Sequence, residues 1–220
     1  MSFFDSFSSI TGAIIDALLP LRERSARTKE RTVAEIPLSP TPHELLRAKI
    51  TTLMEYREKA VEDLIQALKY DRSLHAAKLA ANVLEDYLRE EMVSERLFSA
   101  RKTLLVPVPL HKSRARSRGF NQIELVLRQL PEEFRNGALS TLHTAVLERV
   151  RSTKPQTKLP RSERLSNVAG AFAVTDAIAV KDARIFLIDD VTTTGATLAN
   201  AATPLRRAGA KVELLALARA

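Results

Sequence analysis

The chain has 220 residues, 45% hydrophobic and 27% charged, a globular composition that excludes wholesale disorder and suits one ordinary domain with an appendage or two small ones. It contains no cysteine, which excludes a disulfide framework, a thiolate metal site and a cysteine nucleophile, and suits a reducing cytoplasm. Its 34 basic and 26 acidic residues leave a net charge of +8, and the excess is local: residues 101–165 hold fourteen basic against five acidic groups, a net +9 that attracts the phosphates of a small ligand or of nucleic acid.

Residues 1–21 are fairly apolar, with Asp5 and Asp16 as their only charges. They lack the basic start and continuous apolar centre of a secretory signal, so they read as an amphipathic helix packed on the body. No apolar run reaches the roughly 20 residues of a membrane-spanning helix. Residues 22–42 are charged and end in Pro37, Pro40 and Pro42, the texture of a linker or loosely packed loop. Leu46, Ile50 and Leu53, then Val61, Leu64, Ile65 and Leu68, keep helical spacing, which predicts a helix over residues 43–70. A second amphipathic helix follows, carrying Leu79, Val83, Leu84, Tyr87, Leu88 and Met92.

The texture changes at Arg101. Leu104–Val106 predicts a short buried strand that ends in the stiff turn Pro107-Val108-Pro109, and residues 120–130 read as a helix. Residues 145–150 and 171–174 are short strand candidates flanking a polar span of about twenty residues, a length that is usually functional. Residues 185–188 predict a buried strand, 196–207 a helix that Pro204 should bend, and 212–217 a closing strand entered through Gly209. The expected organisation is an N-terminal helix and linker (1–42), a helical cap or hood (43–100) and an α/β domain (101–220) with a twisted parallel sheet flanked by helices.

Chemistry concentrates in Ile185-Phe186-Leu187-Ile188-Asp189-Asp190-Val191-Thr192-Thr193-Thr194-Gly195-Ala196-Thr197. A buried strand ends in two adjacent carboxylates, at the sheet edge where open α/β folds bind ligands. Three threonines, a glycine and a helix start follow, so backbone N–H groups and hydroxyls form an anion cradle beside acids able to accept from sugar hydroxyls. The four histidines, His43, His75, His111 and His143, are too scattered for an HExxH metal site.

Over these thirteen residues the chain resembles the PRPP (phosphoribosyl pyrophosphate) binding signature of type I phosphoribosyltransferases. That resemblance implies that Asp189 and Asp190 hold the ribose hydroxyls and that Thr193, Thr194, Gly195, Ala196 and Thr197 hold the 5′-phosphate. Val106–His111, the basic run Lys112–Arg118, Gly119-Phe120-Asn121-Gln122 and the stretch 149–172, with Gln156, Leu159, Arg161, Arg164 and Asn167, resemble the ComF branch of these proteins. Leu68-Lys69-Tyr70 matches too, and more faintly Ile15–Pro20. ComF-type proteins commonly carry a four-cysteine zinc finger after that proline. Here Leu21-Arg22-Glu23-Arg24 follows, so no zinc-dependent role carries over.

The reaction so implied is Mg²⁺-dependent transfer of the 5-phosphoribosyl group from PRPP to a small nitrogenous acceptor, through an oxocarbenium-like state with pyrophosphate leaving. The leaving diphosphate needs cationic donors, and His111, Lys112, Arg114 and Arg116 lie in the loop after the first strand, aimed one way if that loop is extended. Mg²⁺ would associate with Asp189 and Asp190 indirectly, through ribose hydroxyls or water. The span 151–167 looks like a cover that closes over the reacting centre, with Arg161 and Arg164 as catalytic candidates beside Asp189 and Asp190. Tyr70 and Phe120 read as packing residues. The alternative is the DNA-uptake role attached to the ComF name, using the fold to bind DNA or PRPP without turnover. Aromatics are only 5% of the chain and tryptophan is absent, which argues against a stacking platform for single strands.

Overall fold

The computed structural model describes residues 27–96, 101–151 and 170–220. Its centre is a six-stranded sheet built from β1 (Thr41–Leu45), β2 (Ala48–Glu55), β3 (Thr103–Pro107), β4 (Thr141–Leu142), β7 (Arg184–Thr192) and β8 (Lys211–Arg219), in the order β1-β2-β8-β7-β3-β4. Only the β1–β2 pair is antiparallel. A separate antiparallel ribbon pairs β5 (Leu147–Arg149) with β6 (Phe172–Val174). The helices are α1 (Lys59–Tyr70), α2 (Leu74–Arg96), α3 (Lys112–Arg118), α4 (Gln122–Leu127), α5 (Glu132–Arg135), α6 (Ala177–Val180) and α7 (Ala196–Arg207).

Burial on both faces explains the apolar strands. Along β7, Phe186 and Ile188 pack with α1, α2 and α4, while Ile185 and Leu187 pack with Leu198, Ala201, Ala202 and Leu205 of α7. Side chains alternate across a strand, so a parallel strand covered on both faces must be apolar throughout. The chain is thus a mixed α/β protein with a mostly parallel sheet flanked by helices. Among the described residues no helix is long and apolar enough to cross a membrane.

Several expectations are corrected. Residues 41–55 form a β-hairpin where a helix was expected from the spacing of Leu46, Ile50 and Leu53. Ile50 and Leu53 are both fully buried but belong to opposite faces of the sheet, and Leu46 is 40% exposed at the turn. The decisive partner is distant: β2 lies parallel to β8, with Ile50 opposite Leu214. Within the expected linker, Ile36 joins the core, and Arg27 and Arg31 reach the buried Asp63 at 2.9 and 3.6 Å. Helix α7 spans Ala196–Arg207 with Pro204 inside it, as expected. The expected N-terminal helix of residues 1–21 lies outside the described residues.

Candidate functional site

Strand β7 carries Asp189 and Asp190 to its carboxyl end, and the chain turns through Thr193-Thr194-Gly195 into α7. Gly195 adopts φ +77°, and a Cβ there would lie 2.6 Å from Ile50 Cδ1 and 2.9 Å from Leu45 Cβ. Both the left-handed backbone and the hairpin pressed against it demand glycine. Thr194 Oγ1 accepts from the Ala196 N–H at 3.4 Å, and Ala196 is buried at the head of α7.

The two acids differ in setting. Asp190 is 7% exposed, accepts from Gln122 Nε2 and from its neighbour Val191 N–H, both at 2.5 Å, and pairs with Lys69 Nζ at 3.3 Å. Asp189 is more open and accepts the Asp190 N–H at 2.9 Å. Burial against the sheet and the adjacent Asp190 carboxylate push the Asp189 carboxyl up to about 7, against the pull of that N–H, Lys69 and Arg149. A carboxyl so raised gains from any hydroxyl donor or cation brought to it.

A cleft of about 720 Å³ opens in front of these acids, within the range of small-ligand sites. Asp189, Asp190, Thr193 and Thr197 line it together with four cations, Lys69, Arg114, Arg118 and Arg149. The cations come from α1, α3 and β5. Burial and the neighbouring Arg114 hold the Arg149 guanidinium below its ordinary range, with Asp189 opposing, and it lies 5.3 Å from the Phe172 ring centroid. An anion entering the cleft would relieve the repulsion between Arg114 and Arg149.

The basic run 112–118 is helical, so it cannot aim alternate residues one way as an extended loop would. Arg114 and Arg118, four apart on one helix face, line the cleft, whereas Lys112, Arg116 and His111 do not. His111 instead caps α3, its Nδ1 accepting from the Ser113 N–H at 3.2 Å. Arg161 and Arg164, with the rest of 152–169, lie outside the described residues. Tyr70, expected to pack, is 63% exposed at the cleft.

Residues 119–122 have local reasons. Gly119 closes α3 at φ +78°; Asn121 caps α4 and donates to Val108 O at 3.0 Å. Gln122, buried, links Arg118 to Asp190 by accepting from the guanidinium at 2.6 Å. Lys69, Gln122 and Arg149 received no individual role from the sequence, whereas Arg118 belongs to the basic run expected to supply diphosphate donors. The available signals were a buried-position amide opening an apolar helix and a lysine ending an amphipathic one. Among the described residues no group of three or more His, Asp or Glu could cage a metal. Asp189 and Asp190 offer the carboxylate oxygens that Mg²⁺ prefers and would hold such an ion only with further oxygens from water or a bound ligand.

No family model matches the chain. It is 30% identical over 161 residues to Competence protein F of Haemophilus influenzae, covering 71% of this chain and 67% of that protein. It is 30% identical over 153 residues to Competence protein ComFC of Streptococcus pneumoniae, covering 70% and 60%, and 32% identical over 148 residues to the DNA utilization protein YhgH of Salmonella typhimurium, covering 67% and 61%. The matches thus span about two thirds or less of those proteins' own lengths. On these similarities the chain belongs to the ComF family.

Proposed function

We propose that the protein is an accessory of DNA uptake or utilisation whose cleft, on a type I phosphoribosyltransferase-like sheet, binds PRPP with Mg²⁺. The names of its relatives support the DNA role. The observation that carries the ligand is the charge layout of the cleft: a carboxylate pair on the strand end, a glycine-turned helix start beside it, and four cations lining the same space. Asp189 and Asp190 accept from the ribose hydroxyls. Thr193, Thr197 and the first N–H groups of α7 hold the 5′-phosphate. Arg114, Arg118, Arg149 and Lys69 take the diphosphate, Lys69 leaving part of its pairing with Asp190 to the sugar. Mg²⁺, when bound, offsets the diphosphate charge.

Transfer of the phosphoribosyl group is the second reading, favoured by Arg114, Arg118 and Arg149 lining the same cleft as the acids. There the bond from ribose C1 to the diphosphate oxygen breaks, pyrophosphate leaves with its electron pair onto the arginines, and an acceptor nitrogen bonds to C1 and loses its proton to solvent. Calorimetric titration with PRPP, with and without Mg²⁺, tests both readings. Saturable Mg²⁺-dependent binding, lost in a folded Asp189→Asn/Asp190→Asn variant, is expected; pyrophosphate release on adding candidate bases separates transfer from binding. No binding by the folded wild-type protein overturns the ligand assignment. DNA binding that PRPP does not compete away would place the DNA groove outside this cleft.

A further inference from the structure

Two cations of the cleft stand differently towards Asp190. Lys69 Nζ pairs with its Oδ2 directly at 3.3 Å, whereas Arg118 reaches that oxygen only through Gln122, whose Oε1 accepts from the guanidinium at 2.6 Å and whose Nε2 donates to Asp190 at 2.5 Å. An ionised carboxylate only accepts and a guanidinium only donates, so a side chain bridging the two must offer one group of each kind. An amide does so, and its orientation is fixed by its partners. The backbone of Gln122 is pinned as well: Asn121 caps α4 by accepting from Ile123 and Glu124 N–H, and donates to Val108 O on the turn after β3. Gln122 is 4% exposed, beside the buried Ile123, Val126 and Leu127. An apolar residue would suit that position, and a polar one is costly there unless both ends are satisfied. The link uses one N–H of the guanidinium and leaves the others for an anion.

We propose that Gln122 is a positioning residue: it holds Arg118 in a fixed direction at a set distance from Asp190, so that the guanidinium meets a diphosphate instead of closing onto the acid. It touches no ligand itself and acts through Arg118. The inference rests on the reading of the cleft in which Arg118 takes the diphosphate.

The test is a double-mutant cycle on affinity for inorganic pyrophosphate with Mg²⁺, read by calorimetry. Gln122→Met fills the same space with neither donor nor acceptor. Arg118→Ala should weaken binding about tenfold in the wild-type background but within about twofold in Gln122→Met, because a guanidinium that is not aimed contributes little. Arg114→Ala removes a cation that makes no hydrogen bond to Gln122, and should cost the same in both backgrounds. A general loosening of the protein would not single out Arg118 in this way. Equal losses from Arg118→Ala in the two backgrounds overturn the proposal. A second measurement needs no ligand: rotation of the Arg118 guanidinium about its Cζ–Nε bond, followed by NMR of the guanidinium nitrogens, should be slower in the wild type than that of the exposed Arg116, and should be released in Gln122→Met. Rotation in the wild type as free as that of Arg116 overturns the proposal even where the Met variant does not fold. Folded wild-type protein that binds no pyrophosphate overturns the diphosphate reading instead, and the rotation then decides whether Gln122 holds Arg118.

Discussion

The two walls of the cleft are built by opposite means. The acidic wall is one strand end: Asp189 and Asp190 are consecutive, anchored by the register of β7 between β3 and β8. The cationic wall is assembled from α1, α3 and β5, so Lys69, Arg114, Arg118 and Arg149 converge only because those elements pack around the same sheet edge. A wall carried by one strand is stiff and fixes the spacing of its two carboxyl groups. A wall of separate elements can adjust as an anion arrives, and its side chains are individually replaceable.

The largest break comes from the acidic wall. Asp189→Asn/Asp190→Asn should lower affinity for ribose 5-phosphate by at least a hundredfold, from two charge-assisted hydrogen-bond sets, with the melting transition retained; calorimetry and circular dichroism check both. Next, Gly195→Ala should cost about 1–3 kcal/mol of stability in denaturant unfolding, because its Cβ meets Ile50 and Leu45 in a left-handed turn. Gln122→Leu should cost about 1–3 kcal/mol as well, since Asp190 would remain buried with one partner fewer. On the cationic wall the effects are smaller and separable. Arg114→Ala should weaken phosphate binding about tenfold, whereas Arg116→Ala, outside the cleft, should leave it within about twofold.

A pH experiment sharpens the contrast further. Native Asp189 keeps its proton up to about pH 7, whereas in the unfolded chain it loses it near 4. Between those values the native state binds more protons, so stability conferred by this group is present at low pH and falls as pH rises. Asp189→Asn should therefore gain stability relative to wild type as pH rises from about 4 to 8, read from unfolding midpoints at each pH. Ribose hydroxyls favour the ionised form, so ligand binding near pH 6.5 should release a proton, read from titrations in buffers of different ionisation enthalpy.

What could be read from the chain follows the same division. The strand-acid-turn-helix unit from Ile185 to Thr197 was legible because its parts are adjacent and each has its own local reason. Helix α7 and strands β3, β7 and β8 were legible from apolar runs. The hairpin was not: Leu46, Ile50 and Leu53 satisfy helical spacing, and only pairing of β2 with a strand 160 residues downstream decides otherwise. Arg118, Gln122 and Lys69 were visible as residues but not as partners, because the contact of Gln122 with Asp190 spans 68 positions. The basic run reads as a loop yet is helical, since alternation in a short charged stretch says nothing of its backbone.

The hairpin's contact with Gly195 also bears on protein engineering. Leu45 and Ile50 sit where a side chain at Gly195 would stand, so the shape of the Thr193-Thr194-Gly195 turn is moulded from outside its own thirteen-residue segment. Moving that segment into another α/β scaffold would transfer its hydrogen-bonding groups without the mould that sets their curvature. A transplant would need residues 41–55 to travel with it.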